Sequence, residues 1–589
     1  MRILKIYTLL LILSFALGSC EQLLEPENDN HSTKERVFRD PAFSEGLLMS
    51  AYIRLPNNSV SYTDIATSDG VSSDKLNSYL RMATGQWSAL FNPVDQWENC
   101  NEAILYLNSF IDIIDTVEWK WTSGELDSLY VRRFWGEAYA LRALFQYHLL
   151  VSVAGYGTDN QLYGIPLYDK TLNADANFNT ARAGFAASVS KIYADFDKAL
   201  LYLVDDYKDI TALSQLPAGF TTLTHVSATN NYNTVFGSRV NQRISGRIVK
   251  ALKARLALLE ASPAFTADDP VLWAKAANYA GAVLSTIGGT AGLDPNGHRF
   301  YEAARVDAIN LSNNIDQPEV IWRTYRVPSN GRERNNYPPS LYGNGIINPS
   351  QNLVDAFPDV NGYPILESTL YSAATPYLNR DPRFGRYIVY NGSTFATKTI
   401  KTGVGGGFNA KDSIQTSTRT GYYLKKLLRE DVNLDPVSTN TKNHYEVYMR
   451  YTELFLIYAE AANEAWGPDG TGTWGFSARD VIRAIRARGG IVQPDAYLAT
   501  IAAGDKAAMR TVIRNERRIE LCFEGFRFWD LRRWKADLTE KVRGVNINGT
   551  TYTYVDVEDR KYDNTYMHYG PVPDKEIVKY NLLLQNKGW

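Results

Sequence analysis

The chain has 589 residues, enough for one very large core or several domain-sized units, and a formal net charge of −2. Near-neutrality implies neither a polyanion partner nor an acidic substrate through bulk electrostatics. Aromatic residues make up 12% of the chain, with 38 tyrosines, a supply that suits core packing and stacking on sugar faces alike.

The first residues read as a secretory leader. Arg2 and Lys5 precede an apolar run from Ile6 to Leu17, shorter than the roughly 20 residues that span a bilayer. The run closes on Leu17-Gly18-Ser19-Cys20, which resembles a bacterial lipobox. Residues 1–19 are then a lipoprotein signal peptide, and Cys20 is the expected lipidation site, anchored by several acyl chains. Residues 20–40 are acidic, polar and broken by Pro26, the composition of a flexible tether. Cys100 and Cys522, the two other cysteines, lie far apart on expected helices and read as buried thiols.

From residue 41 the pattern is mainly helical. Asp40-Pro41 predicts a first helix, capped by the carboxylate with proline at its first position. A second is expected from Trp97 and a third from Arg132 to Val151. Others are expected at about Phe185–Val204, Ile244–Ala261, Pro270–Ile287, Tyr448–Ala465, Ser477–Arg488 and Lys506–Phe523. Small residues such as Ala138, Ala140 and Ala143 suit close helix crossings. Helical pairs of this size are similar to tetratricopeptide hairpins, which bury a core only by stacking. The fold class is therefore mostly α, a tetratricopeptide-like scaffold with long loop-rich insertions and a few short strands. Strand-like runs occur at Val320–Val327 and Tyr387–Tyr390.

The segment from Arg514 to Trp534 carries the most information. Val512, Ile519, Phe523 and Phe526 share one helical face, while the acids and arginines alternate around the rest, a pattern for a solvated or ion-paired surface. Gly525 interrupts the helix, and Phe526, Phe528, Trp529, Leu531 and Trp534 form an aromatic block that must dock on other elements. Glu516, Glu520, Glu524 and Asp530 among the arginines exclude a phosphate-binding surface here.

Arg-Asn-Glu-Arg-Arg-Ile-Glu-Leu at 514–521 and Phe-Glu-Gly-Phe-Arg-Phe-Trp-Asp-Leu-Arg-Arg-Trp at 523–534 resemble the C-terminal signature of the SusD/RagB family. Further echoes follow in order. They include Glu137–Ala143, Tyr163–Leu167, Ala251–Leu258, Pro318–Trp322, Arg450–Glu453, Ile485–Gly490 and the terminus from Tyr569. The resemblance implies a SusD-like domain over 41–589. Its helical scaffold is expected over about 41–287 and 446–535, and its loop-rich ligand side over about 288–445. It also implies a surface lipoprotein of the outer membrane, facing the exterior, that captures oligosaccharide for a SusC-like TonB-dependent transporter. Relatives that take peptides keep that alternative open, and an extracellular glycoside hydrolase needs only two carboxylates that sequence cannot pair.

No catalytic or metal motif is found. The six histidines are scattered, there is no CxxC, and the glycines at 403–407 lack a P-loop Lys-Ser/Thr. Asp431-Val-Asn433-Leu-Asp435 opens like a calcium loop but meets Pro436 at position six and Lys442 at position twelve. No catalytic residue, metal or cofactor is therefore expected. Sugar recognition in water calls for flat aromatic faces and planar polar groups. The stretch Ser61–Ser88 offers Asp69, Asp74, Asn77, Tyr79, Arg81 and Trp87, and the stretch Arg332–Asn348 offers Arg334, Asn335, Asn336, Tyr337, Tyr342 and Asn344. The resemblance implies that ligand is held from broadly these two regions, without fixing residues. Trp87 is open between a ligand platform and a core anchor. Trp119 and Trp121 read as packing or partner contacts.

Overall fold

Asp40 caps the first helix as its spacing predicts, its carboxylate accepting from the amides of Ala42 and Phe43. That helix, α1 (Pro41–Ile53), opens a series that continues with α2 (Trp97–Ile113), α3 (Gly124–Val153), α4 (Phe185–Tyr202), α5 (Ala228–Phe236), α6 (Gly246–Ala261) and α7 (Pro270–Ser285). After a long excursion come α8 (Tyr451–Trp466), α9 (Ala478–Gly489), α10 (Lys506–Glu520) and α11 (Arg527–Arg533). The structure is a computed structural model, and it describes residues 39–56, 62–120, 123–172, 176–220, 223, 227–310 and 315–589. The leader, Cys20 and Trp121 lie outside the described residues. Among the described residues no helix is long and apolar enough to cross a membrane.

Successive helices pack on one another: α1 on α2, α2 on α3, α3 on α4, α4 on α6, and α6 on α7. The stack then passes directly from α7 to α8, although residues 286–450 separate them in sequence. The intervening segment therefore loops out of a continuous helical scaffold. Close approach is achieved where side chains vanish. A Cβ added at Gly136 of α3 would sit 2.5 Å from Leu203 Cγ, and Ala138, Ala140 and Ala143 are fully buried. One apolar core runs through the scaffold, with Leu107, Phe145, Leu252, Leu284, Leu456 and Ile482 among its members. Trp119 belongs to it, against Phe110 and Phe134.

Sequence boundaries hold to within a few residues, except that α3 starts eight residues before Arg132, at Gly124 behind the Ser123 cap. The short helix α5 was not expected. Neither was a hairpin of strands Val542–Asn548 and Thr551–Glu558, turned at Gly549 with φ +57.

The loop-rich layer has its own core, in which Ile347, Phe384, Tyr423 and Val545 meet Ile519 and Phe523. Helix α10 therefore serves two cores: Val512 and Ile513 face the scaffold, and Ile519 faces the loops. Helical geometry ends at Glu520, because Phe523 (φ +61) and Gly525 (φ +81) turn the chain into α11. The charges of this segment are not solvated, contrary to one reading of their alternation. Glu520 is fully buried, 2.5 Å from Arg488 and 3.0 Å from Arg383. Arg450, also buried, meets Glu319 at 2.8 Å and Glu524 at 2.7 Å, and Lys426 reaches Glu524 at 2.6 Å. Arg533 and the Trp534 indole both bind Glu460 at 2.6 Å. Arg383 and Lys426 come from the loop layer and the other partners mostly from the scaffold, so this buried network ties the two together.

Candidate functional site

The two polar-aromatic stretches singled out in the sequence are brought side by side by backbone pairing. Strand β1 (Gly70–Ser72) runs antiparallel to β2 (Ile347–Pro349), with Val71 opposite Asn348. The register continues past β1, where the Ser73 amide donates to Ile346 O at 3.0 Å and Ser73 Oγ to Asn344 O at 3.3 Å. The amides of Asn344 and Ile346 in turn donate to the carbonyls of Arg334 and Asn335. Arg560 fixes the other side, donating to the carbonyls of Thr67, Ile65 and Gly70 at 2.9, 2.9 and 2.6 Å. Segments 74–81 and 330–344 thus leave a rigid base together and form one rim.

Three of the expected ligand groups are structural instead. Asp69 is fully buried and accepts from Arg518 Nε at 2.8 Å, with Arg527 at 3.3 Å. Burial pushes its carboxyl up, but the two guanidiniums outweigh that and hold it below the usual carboxylate range. Trp87 is only 4% exposed. Its ring packs at 4.8 Å from Trp589, 5.7 Å from Phe528 and 5.9 Å from Tyr562, and its indole N–H donates to Asn92 at 2.9 Å. Of its two readings the core anchor is the one found. Tyr337 is buried against Phe395, and its hydroxyl donates to the carbonyl of Arg429. In each case the polar or aromatic character that suggested a ligand contact is spent inside the fold.

Other positions remain at the surface with local duties. Asn77 caps the short helix Ser78–Arg81, its Oδ1 accepting from Tyr79 N at 3.0 Å and Leu80 N at 3.2 Å. Tyr79 is half-buried, and Arg81 lies over the Phe91 ring at 4.6 Å while donating to Gln86 at 2.9 Å. Asn335 is half-buried, and Arg334 and Asn344 are exposed. Tyr342 is the most open aromatic of the set, 53% exposed, with φ +63, and its hydroxyl lies 3.5 Å from Asp435.

Next to this rim stands a hairpin of β3 (Thr394–Phe395) and β4 (Lys398–Thr399). Lys398 Nζ donates to Ser340 O at 2.6 Å and approaches the Tyr342 ring. On the same hairpin Ala396 and Thr397 line a cleft of 660 Å³, within the range of ligand pockets. Its charged lining comes from Arg299, Glu302, Arg386, Lys425, Arg429, Glu430 and Asp431. Sequence reasoning missed these residues. They come from three segments without a shared motif, and only the Arg299/Glu302 spacing hints at a pair. Buried Arg429 donates to both Asp431 and Asp307, and these hydrogen bonds hold the two carboxyls below their usual range.

The Asp431–Asp435 run serves its own turn. Asp431 pairs with Arg429, Asn433 donates to Ser438, and Asp435 accepts from the Val437 amide. Among the described residues no group of three or more His, Cys, Asp and Glu side chains is placed to hold a metal ion. Cys100 and Cys522 are buried free thiols, and burial raises both.

Comparison with known proteins decides the family. The sequence model of the SusD family matches residues 312–589, and a second, described as starch-binding associating with outer membrane, matches residues 24–226. The chain belongs to the SusD/RagB family. Solved SusD-like structures agree in fold. A SusD-like protein from Bacteroides fragilis is 22% identical, with 95% of this chain and 99% of that chain covered at a TM-score of 0.69. A SusD-like carbohydrate-binding protein from the same species is 20% identical, with 93% and 99% covered at 0.68. Surface glycan-binding protein A from Bacteroides fluxus is 18% identical, with 93% and 99% covered at 0.56. No curated protein matches the chain. In this SusD/RagB chain the stacked helices form the scaffold, the cleft lies on the layer that loops out of it, and the rim joins that layer to segment 74–81 between α1 and α2.

Proposed function

We propose that the protein is a cell-surface glycan-binding lipoprotein. It is anchored in the outer membrane through Cys20, captures oligosaccharide, and delivers it to a SusC-like TonB-dependent transporter. The observation that carries the reading is the convergence of segments 74–81 and 330–344 into one rim, with an exposed aromatic, Tyr342, beside an open polar cleft. Flat rings and planar polar groups of this kind match the alternating apolar faces and hydroxyl edges of sugars. Membership of a family described as starch-binding, and solved neighbours named for carbohydrate or glycan binding, support that ligand class. The reading assigns capture without bond cleavage, so binding energy is spent on holding the sugar and none of the rim residues is given a catalytic role.

The test is a glycan panel on affinity gels with the purified protein, run beside a reducing-end assay. Retention by at least one polysaccharide without release of reducing ends is the expected result. New reducing ends would replace a binder with a hydrolase. Retention of peptides alone would transfer the same rim to the peptide-binding alternative.

A further inference from the structure

The cleft beside the β3–β4 hairpin has an unusual charge balance. Four cations line it, Arg299, Arg386, Lys425 and Arg429, against three acids, Glu302, Glu430 and Asp431. The acids are engaged. Glu302 accepts from Arg299 Nε at 2.7 Å and from Arg386 Nη1 at 2.9 Å, one oxygen to each guanidinium. Glu430 accepts from the Ala396 amide at 2.9 Å and meets Lys425 Nζ at 3.2 Å. Asp431 is held by Arg429, whose remaining hydrogen bonds go to Asp307 and to Asn443 O. Beyond the lining, Lys442 stands 3.5 Å from Asp431 and so offsets Asp307.

Two guanidiniums therefore share the single carboxylate of Glu302, and one positive charge is left over. Spare donors sit at the same place. Arg386 uses Nη1, and its Nε and Nη2 have no acceptor among the described residues; Arg299 likewise keeps Nη1 unused. Both side chains remain about a third exposed, 33% for Arg386 and 39% for Arg299, and so stay open to a ligand. A cleft whose acceptors are engaged and whose donors are in surplus selects for a ligand that brings acceptors and negative charge, and arginine pairs best with planar or tetrahedral oxyanions.

We propose that this cleft is a subsite for an anionic group on the bound glycan, the carboxylate of a uronic acid or a sulfate ester, received by Arg386 and Arg299. The proposal rests on the glycan-binding reading and narrows it: the captured polysaccharide is acidic. The rim around Tyr342 would hold neutral faces of neighbouring sugars, with the Lys398 ammonium between the two.

The experiment is a binding panel of the purified protein against uronate-containing, sulfated and neutral polysaccharides, with poly-glutamate as an acidic peptide. It is repeated with Arg386→Gln and Arg299→Gln after thermal melts show that each variant is folded. The expected result is retention of acidic glycans, weakened by salt. Each substitution should lower affinity about tenfold, as for loss of one charge-assisted hydrogen bond. Carboxyl-reduced and desulfated forms of the retained glycan then tell which anion is read. Retention of neutral glycans alone overturns the proposal while leaving glycan capture standing. Acidic glycans that bind both variants as tightly as the parent also overturn it. Retention of poly-glutamate alone, or of nothing in the panel, removes the proposal together with the functional reading beneath it.

Discussion

The helical scaffold and the loop layer solve the same burial problem by different means. In the scaffold, apolar side chains recur at helical spacing, backbone groups satisfy one another within each helix, and small residues let helices approach. In the loop layer the backbone has little regular pairing, so arginines and hydroxyls do that work. Arg560 satisfies three carbonyls of segment 65–70, and Arg380 takes those of Pro376, Val354 and Phe357. Thr418 Oγ1 alone accepts from the amides of Thr420, Gly421 and Tyr422. The scaffold is specified by a period, the layer by individual polar contacts. A buried charge network centred on Glu520 is where one passes into the other.

The largest expected effect comes from breaking that junction. Glu520→Ala leaves Arg383, Arg450 and Arg488 short of a buried acceptor, and should cost about 5 kcal/mol, at the upper end for loss of one partner of a buried pair. Urea unfolding measures it, and a loss below about 1 kcal/mol would mean that the two regions are joined by apolar contact alone. Next is Trp87→Ala, which empties a site walled by Phe528, Tyr562 and Trp589. It should destabilise by about 3–4 kcal/mol. A variant that melts like the parent but loses glycan would return Trp87 to the ligand surface.

Acid should act on the scaffold through Glu460. Burial alone would raise its carboxyl, but Arg533 and the Trp534 indole lower it from 4.5 to about 2. The folded value lies below the unfolded one, so this contribution is full above about pH 4.5 and is lost as pH falls toward 2. Arg533→Met should therefore flatten the fall in stability across that window, as followed by melting temperature against pH.

The same contrast decides what could be read from sequence. Helix positions followed from period and, at Asp40, from the cap; the Ser477–Asp480 capping box that starts α9 emerged only in the structure. The clamp-like role of the Arg514–Trp534 segment was legible from its aromatic block, whereas burial of its ion pairs was not, because alternating charge looks alike on a wet surface and in a network. Within the rim the two stretches singled out in the sequence lie side by side, but Asp69 and Tyr337 were read as outward-facing, and Trp87 was open between ligand platform and core anchor. A decisive partner of each, Arg518 for Asp69, Trp589 for Trp87 and the Arg429 carbonyl for Tyr337, lies at least 92 residues away. The charged cleft gave no sequence signal beyond the Arg299/Glu302 spacing, since three unrelated segments supply it.

The smallest effect on stability, and the sharpest on function, belongs to Tyr342. A bulky aromatic in the left-handed region (φ +63) and 53% exposed neither fills the core nor relaxes the backbone. Glycine would occupy that conformation without the roughly 1–2 kcal/mol that a side chain costs there, and would in part repay the gain through greater freedom in the unfolded chain. Stability alone therefore does not explain a tyrosine at this position, whereas the proposed glycan rim gives its ring a sugar face to stack on. Tyr342→Gly should leave the unfolding free energy within about 1 kcal/mol of the parent while lowering glycan affinity several-fold on a gel or by calorimetry. Unchanged affinity would take the rim out of the binding site and leave the cleft to carry recognition alone.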